Sequence, residues 1–297
     1  MDNYEIQGRI GEGAHGIVLN ARSKSGGKEV ALKKVFLRRL DEGIPVQAWR
    51  EIKVLQHLSH PNVIGLTEVF PHGSGFVLVL DYVPSDLAAV IAASNGRPLQ
   101  VHHSKHLLQQ LLHGIAYVHA NHIMHRDLKP ANLLITEKGE LKIGDFGQAR
   151  LYFPPEEKRE YSHMVATRWY RAPELLFGSR HYDQNVDLWA VGCILAEMLN
   201  GKALFPGESD IEQLAVVQQG LGSPDLTTWP ALQNLPDYGK ITFPHFPALP
   251  LATLLPEAVD LAAEWLVYNP LDRLSAEQSL KHDWFSAAPL PLPIQPP

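Results

Sequence analysis

Residues Gly11–Arg22 read GEGAHGIVLNAR, and this stretch decides between two architectures that share the spacing GxGxxG. A dinucleotide-binding turn needs a strand before it, a helix after it, and an acidic residue about twenty positions on to hold a ribose. A phosphate lid instead runs strand, turn, strand. Val18-Leu19-Asn20-Ala21-Arg22 alternates as a strand does, with no helical spacing before Ser25-Gly26-Gly27 breaks the chain. The glycines are therefore read as a lid over nucleotide phosphates.

Outward from the lid, the chain up to residue 83 consists mostly of short aliphatic runs, with Val30–Lys34 and Phe76–Leu80 the clearest strands. One helix interrupts them. It is expected after Pro45, with Trp49, Ile52, Leu55 and Leu58 as an apolar face against a small sheet. Residues 84–288 read as mainly helical. His103–Ala120 carries Leu107, Leu108, Leu111, Leu112 and Ile115 on one stripe, and Asp187–Leu199 is apolar nearly all round and hence buried. Leu133–Ile135 and Leu141–Ile143 flank Glu137-Lys138-Gly139-Glu140 as a short hairpin. The expected class is α+β, a small β-rich lobe followed by a larger helical one. The tail, residues 289–297, reads PLPLPIQPP and is expected to be extended, solvated polyproline.

The bulk composition narrows the function. With 297 residues and 45% apolar side chains the chain can bury a sizeable core, so disorder is not the default. A net charge of −6 without a basic stripe argues against nucleic acid or anionic lipid as partners. The single cysteine, Cys193, rules out a disulfide scaffold and reads as a buried thiol. The first residues lack the pattern of a secretory signal. The apolar run Leu188–Leu199 is too short for a bilayer and contains Glu197. The expectation is a soluble intracellular protein.

Phosphoryl transfer asks a protein to hold phosphates and metal, orient a hydroxyl and offset negative charge. The chain offers a residue for each task in order. Lys33 lies on a strand and can meet phosphates, with Glu51 on the one N-terminal helix as its ion-pair partner. His125–Asn132 reads HRDLKPAN. Within it Asp127 can accept from a substrate hydroxyl, Lys129 can offset charge on the moving group, and Asn132 offers an oxygen to a hard cation. Asp145 of Asp145-Phe146-Gly147 adds the carboxylate that Mg²⁺ prefers.

Taken together, these segments resemble eukaryotic protein kinases. The match comprises GxGxxGxV at Gly11, Gly13, Gly16 and Val18; VALK ending in Lys33; HRDLKPAN; DFG; and Ala172-Pro173-Glu174, over roughly residues 4 to 285. The resemblance implies a bilobal protein kinase fold, ATP and Mg²⁺ as cofactors, Arg273 as the partner of Glu174, and Asp187 as the anchor of the buried helix. It also implies a nucleotide site. The lid supplies Ile10, Gly11, Glu12, Gly13, Ala14, His15 and Gly16; Val18, Ala31 and Leu134 sandwich the base; Leu80 is gatekeeper. Asp81, Tyr82 and Val83 form the hinge, and Asp86 is the ribose contact.

LKPAN resembles serine/threonine rather than tyrosine kinases. Pro45–Glu51 (PVQAWRE), Trp169–Glu174 (WYRAPE) and Gly207–Leu214 (GESDIEQL) are similar to cyclin-dependent kinases. In that family Arg171 bonds a twisted backbone carbonyl near Val165 and Ala166, so proline, having no N–H to leave unsatisfied, is preferred after the phosphorylated residue. The resemblance therefore implies protein substrates with Ser/Thr-Pro, a cyclin or cyclin-like activator, and an upstream activating kinase. Ser162 stands in the place of the activating threonine, with Arg50, Arg126 and Arg150 to receive its phosphate. Ala14 and His15 replace the Thr-Tyr pair of the lid, so the inhibitory phosphorylation of cell-cycle members has no acceptor here. Gln148 replaces a leucine, and Trp49 an isoleucine that inserts into cyclin. The Ala-His lid and the stretches FPHGSGFVLVLDYVPSDLAAV and WPALQNLPDYGKITF look most like the cell-cycle-related kinase branch. That branch implies nuclear, cytoplasmic and ciliary contexts.

Three rival readings compete with this one. His102 and His106 have helical i, i+4 spacing but no adjacent glutamate, and they are expected on an exposed first turn. His119 and His122 are expected as helix-end residues. A nicotinamide-dependent dehydrogenase lacks its following helix. A catalytically inactive scaffold would be expected to have lost one of Lys33, Glu51, Asp127, Asn132 or Asp145, and all are present.

Overall fold

The computed structural model describes residues 1–13, 16–36, 45–153, 157 and 159–297, Glu12 and Gly13 in backbone only; Ala14 and His15 lie outside the described residues. Five antiparallel strands, β1 (Tyr4–Gly13), β2 (Gly16–Ser23), β3 (Glu29–Phe36), β4 (Leu66–His72) and β5 (Gly75–Asp81), form the N-terminal sheet in the order β1-β2-β3-β5-β4. The β1–β2 register closes with Gly13 opposite Gly16, so the glycine motif turns strand into strand, as a lid does. Gly16 sits at φ +151°, and a Cβ there would lie 1.7 Å from the Lys34 carbonyl oxygen, so only glycine lets β2 and β3 approach.

Strand alternation gives the sheet two apolar faces. Ala21, Val30, Leu32, Val77 and Val79 make a small outer core, while Ala31, Val35, Leu78 and Leu80 join the main core on the other side. Lys33 shares the parity of Ala31 and Val35, which turns it toward the main core and the helix packed there.

That helix, α1 (Val46–His57), begins directly after Pro45, and it corrects one expectation. Its buried residues are Ala48, Glu51, Ile52 and Leu55, whereas Trp49 is 48% exposed. A spacing of three drifts off a 3.6-residue period, so Trp49 falls outside the stripe and the carboxylate of Glu51 falls inside it.

The helical lobe is built around α3 (Val101–Ala120) and α5 (Asn185–Asn200). The first buries the expected leucine stripe, and the second is buried on almost every side before ending at Gly201 in the left-handed region. Three shorter elements complete the surroundings of the cleft: α2 (Leu87–Ala93), α4 (Pro173–Leu176) and α6 (Asp210–Leu221). β6 (Ser85–Asp86), β8 (Leu133–Ile135) and β9 (Leu141–Ile143) form a three-stranded sheet, and β7 (Ile123–Met124) pairs with β10 (Arg150–Leu151). The β8–β9 hairpin is the one read from the sequence.

Two more expectations change. The tail is extended but not solvated throughout: Ile294 packs on the main core, and Leu292 pairs with the first turn of α3. His102 and His106 are half-buried rather than exposed, and no cluster of three metal-ligating side chains occurs among the described residues. His119 is more than a helix end, because its Nε2 lies 2.9 Å from Asp187 Oδ2. Cys193 is buried, which pushes its thiol pKa up.

Candidate active site

The cleft between the sheet and the helical lobe encloses about 570 Å³. Ile10, Gly11, Gly16, Val18, Ala31, Lys33, Leu80, Asp81, Val83, Asn132, Leu134 and Asp145, all expected in the nucleotide site, line it. Gln47, Ile64, Ala131 and Gln148 line it as well, and the sequence reading had given none of them that place. Tyr82 and Asp86 do not line it. One Asp86 carboxylate oxygen accepts from the Ala89 N–H at 2.9 Å and caps α2.

On the floor of the cleft, both carboxylate oxygens of Glu51 lie 2.7 Å from Lys33 Nζ, and Asp145 Oδ1 is 3.8 Å from the same ammonium. Burial alone would lower the Lys33 pKa, but the carboxylate of Glu51, with Asp145 behind it, carries it above the usual lysine value. The same logic runs in reverse at Asp145. Burial would raise its pKa, and Lys33 above all holds it below the ordinary carboxylate range.

The catalytic loop is hung from the first turn of α5. Asp187 accepts from the backbone N–H of His125 at 2.8 Å and of Arg126 at 2.7 Å, holding Arg126 at φ +65°. His125 Nε2–H donates to the Gly144 carbonyl at 2.9 Å, so its Nδ1 is the acceptor for Asp127 N–H at 3.2 Å. Its ring meets Phe146 edge to face. The histidine therefore joins the HRD and DFG segments by packing and hydrogen bonds.

Asp127 Oδ1 accepts from Thr167 N–H at 2.9 Å and Thr167 Oγ1 at 3.0 Å, while Lys129 Nζ stands 3.3 Å from Asp127 Oδ2 and 3.1 Å from Thr167 Oγ1. Thr167 is a site residue the sequence reading did not single out. The amide nitrogen of Asn132 donates to the Asp127 carbonyl at 2.8 Å, which leaves its Oδ1 for other work. The Gly144 N–H donates to the Asn132 carbonyl at 2.9 Å, and Asn132 and Asp145 both line the cleft. An amide oxygen next to a carboxylate with a depressed pKa is a donor set that fits Mg²⁺.

Further along the segment, Arg171 Nε donates to the Val165 carbonyl at 2.8 Å and Nη2 to the Ala166 carbonyl at 3.0 Å, with Ala166 at φ +64°. Asp210 Oδ2 receives Arg171 Nη1 at 2.9 Å, and Arg168 shares the same carboxylate. Ser162 is exposed, and its carbonyl accepts from Tyr182 Oη, which itself accepts from Arg126 Nη1 at 2.8 Å. Arg50 Nε is buried with no hydrogen-bond partner among the described residues. Burial, then Arg150 and Arg126 close by, lowers the Arg50 pKa. Arg150 and Arg126 thus lie within electrostatic reach of Arg50. Glu174 and Arg273 form a buried two-bond pair at 2.7 and 2.8 Å.

The arrangement of Lys33, Glu51, Asp127, Lys129, Asn132 and Asp145 around one cleft defines a phosphoryl-transfer site. The protein kinase domain family matches residues 4–285, and the chain belongs to it. Within that family the chain is 57% identical to Cyclin-dependent kinase 20 of Danio rerio, over 98% of this chain and 86% of that protein. It is 55% identical to Cyclin-dependent kinase 20 of Homo sapiens, over 98% of this chain and 85% of that protein. The CAK complex of Chaetomium thermophilum bound to ATP-γ-S contains a chain matched at a TM-score of 0.90 and 34% identity, over 98% of this chain and 93% of that one. A chain of the yeast RNA Pol II CTD kinase CTDK-1 complex matches at 0.89 and 34%, over 99% and 96%. The enzyme is a serine/threonine kinase of the cyclin-dependent type, with the bilobal fold of that family.

Proposed function

We propose that the protein transfers the γ-phosphoryl group of ATP to Ser or Thr followed by Pro, as an enzyme docked on a cyclin-like activator and switched by phosphorylation of Ser162. The contact of Arg171 with the carbonyls of Val165 and Ala166 carries the reading of the target. With those carbonyls occupied, an amide N–H following the target residue meets no acceptor. Such a loss costs about 1–3 kcal/mol, which proline, lacking the N–H, does not incur.

The chemistry divides among the residues of the cleft. Asp127 accepts a hydrogen bond from the substrate hydroxyl, orients its oxygen toward the γ-phosphorus and takes its proton in the course of the transfer. As the new O–P bond forms and the bond to the leaving ADP breaks, Lys129 offsets charge on the transferred group. Lys33, held by Glu51, contacts the nucleotide phosphates. Asn132 and Asp145 are the residues that would hold Mg²⁺, which when bound neutralises charge on the phosphate oxygens. A phosphate on Ser162 adds nearly two negative charges close to Arg50, Arg126 and Arg150 and ties α1, the catalytic loop and the activation segment together.

Relatives named as cyclin-dependent kinases support a cyclin-like partner, and the exposed Trp49 on α1 is its contact in this reading. The nuclear, cytoplasmic and ciliary settings of the cell-cycle-related branch are carried over with it. The test is a pair of peptides differing only in Pro or Ala after the target serine, assayed with ATP-Mg²⁺. A kcat/KM about 5- to 150-fold higher for Pro is expected from the amide penalty. Equal values would overturn the proline-directed reading, and no transfer to any peptide with any activator would favour an inactive scaffold.

A further inference from the structure

The tail beyond the last short helix is seated on the fold at three points, all on one path. Lys105 of α3 is 1% exposed, and its Nζ donates to the Ala287 carbonyl at 2.6 Å while lying 5.0 Å from the Trp284 ring. Leu292 then pairs in both directions with the first turn of α3: its N–H donates to the His102 carbonyl at 3.0 Å, and its carbonyl accepts from His103 Nδ1–H at 3.0 Å. Finally Ile294 packs on the main core at the tip of the β8–β9 hairpin. The fit there is close. Gly139, at φ +76° in that tip, has no Cβ, and one would lie 2.2 Å from the Ile294 carbonyl oxygen.

The tail sequence suits this path. Pro289, Pro291 and Pro293 alternate with Leu290, Leu292 and Ile294, so the backbone is already extended and little entropy is lost on docking. The one amide used for recognition belongs to Leu292, not to a proline. Leu290 and Leu292 stay more than half exposed, so the backbone of Leu292 and the side chain of Ile294 make the recognition.

The hairpin it touches has only three residues in each strand, about 10 Å from tip to base. Asn132 immediately precedes β8, and Asp145 follows β9 by one residue. Gln110 of α3 also grips the tip, accepting from Leu141 N–H at 2.9 Å and donating to the Gly139 carbonyl at 3.3 Å. Tip and base form one short lever.

We propose that the groove between the first turn of α3 and the β8–β9 tip is a docking site for an extended, proline-spaced segment, occupied in this chain by its own Leu290–Ile294. The docked strap positions the hairpin that carries Asn132 and Asp145. The positioning half rests on the assignment of those two residues as cation holders, whereas the docking half stands on the contacts alone.

The test uses the full chain carrying Ile294→Asp, with Ile294→Val as the conservative control, read by amide hydrogen exchange and by the Mg²⁺ concentration that gives half-maximal kinase activity. Ile294→Asp is expected to speed exchange of the Leu292, Gly139 and Leu141 amides about tenfold or more while leaving Val77 and Val79 in the N-terminal sheet unchanged. The half-activating Mg²⁺ concentration is expected to rise severalfold, and Ile294→Val to restore both readouts. Rapid Leu292 exchange in the unmodified chain, or hairpin amides indifferent to Ile294→Asp, would overturn the docking. Faster hairpin exchange with an unchanged Mg²⁺ requirement would overturn the positioning. A chain without kinase activity would defeat the functional reading while exchange still decided the docking.

Discussion

Arg50 and Glu51 are neighbours on α1, yet their charges meet opposite fates. Glu51 points into the cleft and closes on Lys33 at 2.7 Å, a pair completed by the folded chain alone. Arg50 turns toward Arg126 and Arg150, and its buried Nε finds no acceptor among the described residues. One site has its counter-charge built in, and the other gathers like charges that an anion would satisfy. In the proposed scheme this difference separates chemistry from control: the catalytic set is assembled in the unmodified chain, while the arginine set gathers like charges that a phosphate on Ser162 would offset.

The comparison can be broken first on its satisfied side. Asp127→Asn keeps the shape of the catalytic loop and removes the carboxylate that orients the hydroxyl. A fall in kcat of about 10²–10⁴ is expected, with the KM for ATP little changed, in steady-state assays. Glu51→Gln acts on the same side with a smaller effect on rate. It leaves Lys33 without its principal counter-charge, so the KM for ATP is expected to rise and kcat to fall, together with a lower melting temperature. Wild-type kinetics for Glu51→Gln would mean that the pair is ornamental.

The unsatisfied side is sharpened by two milder substitutions. Ser162→Ala is expected to abolish activation by an upstream kinase while leaving the basal rate of the unmodified enzyme intact. Arg50→Ala is expected to raise the melting temperature of the unmodified chain slightly in a thermal melt, because it relieves repulsion from Arg150 and Arg126. Trp49→Ala tests the outward face of the same helix. Since Trp49 is exposed, weaker binding of a cyclin-like activator is expected without a change in thermal stability.

The two sides were unequally legible in the sequence. Lys33, Asp127, Asn132 and Asp145 announce themselves because each task of phosphoryl transfer demands a particular functional group within a short motif. Thr167 did not, because its bonds to Asp127 span 40 residues and exist only once the activation segment folds back. Trp49 was placed on the wrong face because a count in threes approximates a helix over one turn and drifts over three. Asp86 is expected as a ribose contact, and one of its carboxylate oxygens also caps α2, a second role that local sequence signals suggest for an aspartate before a helix. The tail was read from composition alone, and composition gives its extended backbone but not the groove that receives it.

Ser162 phosphorylation and Arg50 together give the most direct measurement of the central claim. Melting temperatures and unfolding free energies would be compared for unmodified and Ser162-phosphorylated chains, each with Arg50 present or replaced by Ala, as a double-mutant cycle. A separation of charge control from chemistry predicts that phosphorylation stabilises the Arg50 chain more than the Arg50→Ala chain, with a coupling of about 0.5–3 kcal/mol. Effects that add to within about 0.3–0.5 kcal/mol would show that Arg50 and the phosphate do not meet, and would contradict it.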